Sequence, residues 1–96
     1  MEAYPPASVI ISNYNGGELL KESLKSLLKQ DYPKLEVIVV DAGSKDGSPE
    51  LVRKTFPEVV LIQTKTRIGI GEAINIGIKQ ARGEVIVFDY QRECYQ

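Results

Sequence analysis

Four short runs of residues that are apolar on both faces alternate with three amphipathic segments, and turn formers stand at the junctions. Together these observations predict an α/β fold. It is a three-layer sandwich in which a four-stranded parallel sheet of order 3-2-1-4 carries helices on both faces.

Residues 1–7 contain the adjacent Pro5 and Pro6, which favour extended backbone and deny a helix its hydrogen bonds, so they read as a lead-in. The first strand is Ser8 to Ser12, short, β-branched and apolar on both faces, as a strand covered on both sides must be. It stops at Asn13-Tyr14-Asn15-Gly16-Gly17, where Asn and Gly mark a tight turn. From Glu18 the period changes: Leu19, Leu20, Leu24, Leu27 and Leu28 recur at three and four residue spacing among lysines and glutamates, which predicts an amphipathic helix. Asp31-Tyr32-Pro33 closes it, because the residue before a proline is pushed out of the α region.

Leu35 to Val40 repeats the buried-strand signature and ends at Asp41. The loop from Asp41 to Ser48 is rich in turn formers, and Ser48-Pro49 reads as an N-cap followed by proline at the first helical position of a short helix reaching Phe56. Val59 to Gln63 is the third strand. After a loop through Lys65, Thr66 and Arg67, the third helix carries Ile70, Ala73, Ile74, Gly77, Ile78 and Ala81 on one face, and Gly83 ends it as a glycine beyond a helix often does. Glu84 to Phe88 is the fourth strand, while Asp89 to Gln96 show no pattern. Right-handed crossovers leave few ways to join these pieces. The first three strands step one way, the third helix crosses back, and a crevice opens between the carboxyl ends of strands one and four, where open α/β sheets bind ligands.

Composition narrows the function. The 96 residues suit one domain, with its core over residues 8–88, able to bury roughly 60 to 70% of the unfolded surface. Thirteen acidic against 12 basic residues leave no electrostatic footprint for nucleic acid. With no histidine and the single Cys94, disulfides, zinc clusters and Cys-His nucleophiles are excluded, and a reducing, cytoplasmic setting is expected. Apolar runs are too short for a transmembrane segment or a signal peptide.

The candidate site lies in the loops at the carboxyl ends. Asn13, Tyr14 and Asn15 put two amides and an aromatic ring beside a helix N-terminus, an arrangement that either binds an anion such as phosphate or simply makes the turn. Asp41 either accepts a hydrogen bond from a base or ribose or caps a turn, and Asp46 reads as a turn residue by the same chemistry. Lys45, Lys65 and Arg67 read as solvated charges, although Lys65 and Arg67 are close enough to make a phosphate-facing pair. Gly69-Ile70-Gly71 with Asp89 twenty residues on imitates a dinucleotide fingerprint, but Ile74 replaces its third glycine and the preceding loop is too long.

Five blocks resemble a known family. They are Val9 to Gly16, Leu24 to Pro33, Glu36 to Ser48 with its Asp-x-Gly-Ser-x-Asp-Gly-Ser stretch, Ala73 to Gly77, and Ala81 to Phe88. In order and spacing they are similar to the N-terminal half of a family 2 glycosyltransferase. The resemblance implies a GT-A type nucleotide-diphosphosugar transferase, of which this chain would be the Rossmann-like half. It further implies that Asn13, Tyr14 and Asn15 line a nucleotide pocket, that Asp41 accepts from the base, commonly uracil, that Ser44 and Asp46 complete the loop, and that Arg67 and Gly69 occupy the family's Asn-x-Gly position. The expected partner is a nucleotide-sugar.

Three departures accompany it. Ser12 stands where the family has proline, and Arg67 where it has asparagine. Asp89, Tyr90, Gln91 and Arg92 stand in place of a hydrophobic residue and an Asp-x-Asp that binds Mg or Mn in the complete family member, so no metal site or cofactor is expected here. The tail Gln91 to Gln96 reads as unrelated sequence joined after a truncation, leaving the general base and acceptor half outside the chain. The expectation is a nucleotide-sugar-binding piece, inactive alone. The alternative is a non-catalytic assembly module, a homodimer through the exposed edge of residues 85–88.

Overall fold

The computed structural model describes residues 5–29, 33–83 and 85–90. Their elements run β1 (Ala7–Asn13), α1 (Gly17–Leu28), β2 (Leu35–Asp41), α2 (Ser48–Thr55), β3 (Val60–Gln63), α3 (Ile70–Gln80) and β4 (Val85–Tyr90). All pairs are parallel, and the strands stand in the order β3-β2-β1-β4.

Alternation along the strands explains why both faces are apolar. Val9, Ile11, Val37 and Val39 point to one side, where they meet Leu20 and Leu24 of α1, Val52 of α2, and Phe56 and Val59. Ile10, Ile38 and Val40 point to the other, against Ala73 and the half-buried Ile74 and Ile78 of α3. Successive residues thus serve opposite layers. Burying each of the enclosed Val, Leu, Ile and Phe side chains contributes about 1.5–3 kcal/mol, and the sheet collects that from both sides.

Several boundaries differ from the sequence pattern for one reason: ladder hydrogen bonds follow the neighbouring strand rather than apolarity. Asp41 closes β2 inside the sheet, paired with Asn13, instead of opening the loop. Asp89 and Tyr90, which show no sequence pattern, continue β4 because Ile11 and Ser12 are still there to pair with them. Asp31 and Tyr32, expected to close α1, lie outside the described residues, as do Glu84 and the tail from Gln91.

Two capping expectations are corrected. Ser48 is the first residue of α2 rather than its cap, and the cap position falls to Gly47. Gly83 is not a left-handed stop for α3; the helix ends at Gln80, and the cap residue Ala81 turns extended while its N–H still bonds the Gly77 and Ile78 carbonyls. Glycine is needed at 83 because its backbone crosses β1 closely: a Cβ there would lie 2.6 Å from the Ser8 nitrogen. A clip secures this crossing. The Gly83 N–H donates to Ser8 Oγ (2.8 Å), and the Ser8 hydroxyl and Arg82 N–H both donate to Glu36 Oε1 (2.9 and 3.0 Å).

Leu24 is 0% exposed in the α1 face of the core. Leu24→Ala is expected to cost about 2–5 kcal/mol, read as a lower urea midpoint at unchanged m value. The exposed neighbour Lys25, changed to Ala, is expected to stay within about 0.5 kcal/mol.

Candidate functional site

The parallel register sets Asn13 beside Asp41 at the carboxyl ends of the two central strands. Both are buried, at 0 and 1% exposure. A carboxylate so enclosed needs donors, and it has them. The Asn13 Nδ2 group donates to Asp41 Oδ1 (2.8 Å), and the Ser44 N–H donates to Asp41 Oδ2 (2.9 Å). Each oxygen therefore retains acceptor capacity beyond its one internal bond.

Around this pair the first two loops are laced together. Asn13 Nδ2 also reaches Ser44 Oγ (3.3 Å), which accepts the Asn15 N–H at 2.7 Å, while Asn15 Oδ1 accepts the Lys45 N–H at 2.8 Å. Asn15 adopts φ 53°, a left-handed conformation that Asn tolerates better than most residues. Asn13 Oδ1 turns back to accept the Gly16 N–H (3.1 Å).

That last contact changes the reading of the α1 N-terminus. Its leading N–H groups were candidates for an anion, yet Gly16 donates to Asn13 and Gly17 donates to Ser48 Oγ (3.1 Å). The Ser48 hydroxyl in turn donates to Asp46 Oδ1, which also accepts the Ser48 N–H at 3.0 Å. Asp46 thus serves the start of α2 and stands apart from the Asp41 cluster. The Asn13 amide oxygen and the Ser48 hydroxyl thus already accept the Gly16 and Gly17 N–H groups.

The third loop arrives from β3. The Thr64 N–H donates to the Asp41 carbonyl (3.0 Å), and its hydroxyl donates to the Thr66 carbonyl (2.7 Å). This lays residues 66–67 directly over Gly43. Gly43 has φ +90°, and a Cβ on it would come within 2.8 Å of the Arg67 nitrogen, so both conformation and space demand glycine. From there the Arg67 guanidinium reaches across to the β1–α1 loop and lies over the Tyr14 ring, 4.4 Å from its centroid. Gly69 takes no part in the polar network; it caps α3, its carbonyl accepting the Ala73 N–H at 3.0 Å.

The structure therefore brings Asn13, Asn15, Asp41 and Ser44 into one cluster, sets Tyr14 and Arg67 as a stacked pair beside it, and leaves Asp46 and Gly69 in local helix-start roles. Sequence reasoning missed Thr64 and Gly43, which position the third loop, and the bridge made by Ser48. Only Gly43 had a local signal, as a glycine two residues past a strand-end Asp. Ser12, 1% exposed at the end of β1, has a hydroxyl with no hydrogen-bond partner among the described residues.

Among the described residues no three His, Cys, Asp or Glu side chains converge, and both loop carboxylates are engaged by Asn13, Ser44 and Ser48. Arg92, expected in place of a metal-binding carboxylate, lies outside the described residues. No helix among the described residues is long and apolar enough to cross a membrane.

Comparison with solved proteins defines the class as an α/β fold matching part of the GT-A glycosyltransferases. The chain superposes with TM-score 0.83 and 38% identity on the mannosyltransferase PcManGT from Pyrobaculum calidifontis, solved with GDP-Man and Mn2+, covering 91% of this chain and 27% of that one. Residues 1–349 of S. aureus TarS with UDP match at TM-score 0.82 and 38% identity, covering 88% and 27%. A glycosyltransferase of Rickettsia bellii is 40% identical over 82 residues, 84% of this chain and 12% of that protein. The glycosyl transferase family 2 model matches residues 8–88, and the chain belongs to that family. It spans about a quarter of the solved relatives and a smaller share of the Rickettsia protein.

Removing the hub is expected to loosen both loops. Asp41→Ala orphans the Asn13 amide and the Ser44 N–H, at about 1–3 kcal/mol for each buried donor left unpaired. Faster hydrogen exchange at the Ser44 amide, with β1 and β2 core amides still protected, is the expected local signature.

Proposed function

We propose that this chain is the nucleotide-sugar-binding part of a family 2 glycosyltransferase that takes a UDP-sugar as donor. The observation that carries this reading is Asp41: a buried carboxylate, held by Asn13 and Ser44 at the carboxyl edge of a parallel sheet with acceptor capacity in reserve. Open α/β sheets bind ligands at that edge, and a nucleobase or ribose offers N–H and O–H donors of the kind such a carboxylate accepts. Asn13, Tyr14, Asn15 and Ser44 line the same place, Arg67 borders it, and Asp46 and Gly69 shape the helix starts around it. The likeness to TarS, solved with UDP, supports the uridine assignment, while PcManGT, solved with GDP-Man, makes guanine its competitor.

The reading assigns binding rather than turnover to these residues. There is no histidine to act as a general base, and Asp41 and Asp46 are engaged in structure. Transfer of the sugar to an acceptor belongs to the reading of the whole protein. A cytoplasmic setting goes with it, on the single cysteine.

Titration calorimetry tests it. UDP is expected to give saturable heat at about millimolar concentration or below, more tightly than GDP, and Asp41→Ala to remove it. No heat from either nucleotide, with the fold intact by circular dichroism, overturns the reading.

A second reading rests on the sheet edge. Among the described strands β4 pairs with β1 alone, and its other edge is a template for the same strand of a second copy. Light scattering is then expected to show a dimer whose population rises with concentration, and a monomer at high concentration removes this reading.

A further inference from the structure

We propose that the edge of the sheet where the strands begin is a docking surface for a membrane rich in anionic phospholipid. This edge lies opposite the Asp41 cluster, and the proposal does not rest on the nucleotide reading.

The first observation is how the fold sorts its charges. The formal net charge is −1, so composition alone offers no footprint for an anion. All the strands are parallel, however, and α1, α2 and α3 must each return from the carboxyl edge to the edge where the next strand begins. Each helix carries a glutamate in its first turn, Glu18, Glu50 and Glu72, and a lysine in its last, Lys25, Lys54 and Lys79. The helix dipole favours that arrangement one helix at a time. Parallel packing then gathers the lysines at one edge and the glutamates at the other. Lys29 caps the end of α1, and Lys34 and Arg82 stand outside the helices at the same basic edge. All six cations are exposed. The acids described there are the exposed Glu58 and the half-buried Glu36, while Glu2, Asp31 and Glu84 lie outside the described residues.

The second observation is a recess of about 250 Å³ at this edge, between the starts of β1 and β2 and the segment that leads into β4. Pro6 and Leu35 give it apolar walls, and Lys34 and Arg82 flank them. Glu36 also lines it, with one carboxylate oxygen taken by the Ser8 hydroxyl and the Arg82 N–H. Cations beside an apolar recess suit an amphipathic anion. A phospholipid brings a phosphate for Lys34 and Arg82 and a glycerol and acyl region for Pro6 and Leu35, whereas a nucleic acid or a free phosphate offers those apolar walls nothing.

Distance decides whether the acidic edge cancels the attraction. β1 and β2 each run seven residues, which sets the two edges roughly 20 Å apart. That is more than twice the Debye length of about 8 Å at physiological salt, so the glutamates of the carboxyl edge are screened from a membrane on the other side. Docked in this way, the strands point away from the bilayer and the Asp41 cluster faces solution.

Vesicle flotation tests the proposal, with phosphatidylcholine alone and with an equal mixture of phosphatidylcholine and phosphatidylglycerol. The wild-type chain is expected to float with the mixed vesicles, not with phosphatidylcholine, and to be released by salt. Lys34→Glu combined with Arg82→Glu keeps the backbone bonds of both residues and is expected to lower partitioning at least about tenfold, since each basic residue near an anionic surface contributes roughly fivefold. Lys45→Glu combined with Lys65→Glu makes the same change of charge at the carboxyl edge and is expected to alter partitioning by less than about twofold. Circular dichroism checks that both double variants fold. A wild-type chain that stays unbound with the mixed vesicles overturns the proposal, and so does an equal loss in the two double variants, which assigns the binding to net charge. Release from the vesicles by a DNA duplex at equal phosphate concentration overturns it in favour of a nucleic-acid surface.

Discussion

At the carboxyl ends of the two central strands, the Asn13 amide donates to the Asp41 carboxylate in the interior of the protein. A buried carboxylate is tolerable only while its oxygens are satisfied, so the loops after β1 and β2 must fold inward to supply donors. Ser44 supplies its N–H, and its hydroxyl then takes the N–H of Asn15. The backbone of Asp41 takes Thr64, which brings in the third loop with Arg67 at its end. Tyr14 meets Arg67 because both loops are bonded to Asp41, the first through its carboxylate and the third through its backbone carbonyl. One residue thus organises three loops that are distant in the chain.

A related constraint acts at the opposite edge of the sheet. Glu36 stands near the start of β2 and accepts from Ser8 on β1 and from the Arg82 backbone at the α3–β4 turn, while Ser8 Oγ accepts from Gly83. The sheet therefore has an apolar middle, packed on both faces, and a polar clip at each end. The middle provides most of the stabilisation through burial. The ends set register, because a slip of one residue would separate Asn13 from Asp41 and Ser8 from Glu36 together.

Much of this was legible from residue order. The βα alternation was visible because each strand is short and apolar on both faces, while each helix carries a 3.6-residue apolar stripe. Asn13, Asp41 and Ser44 stood out singly, as polar residues just after such strands. Their contact was not legible, since it depends on β1 and β2 lying side by side in register. Gly83 looked like a helix stop because glycines past helices usually are, whereas its real constraint is the nearness of β1, some 75 residues earlier in the chain. At the α1 N-terminus, read as either an anion site or a turn, the Gly17 N–H is taken for the same reason: Ser48, which accepts it, is 31 residues away.

Local periodicity and turn chemistry act between near neighbours, so the sequence by itself determined which segments are strand, which are helix and where polar loops gather. The five motif blocks, preserved in order and spacing, also placed the chain in family 2 of the glycosyltransferases. Contacts across the sheet were decided by the tertiary structure alone. Hydrogen bonds and close approaches between residues 28 to 75 positions apart arise only once the strands are paired and the helices packed. Those contacts separate Asp41, the buried hub, from Asp46, which serves a helix start, and they set Arg67 on Tyr14 at the edge of the site.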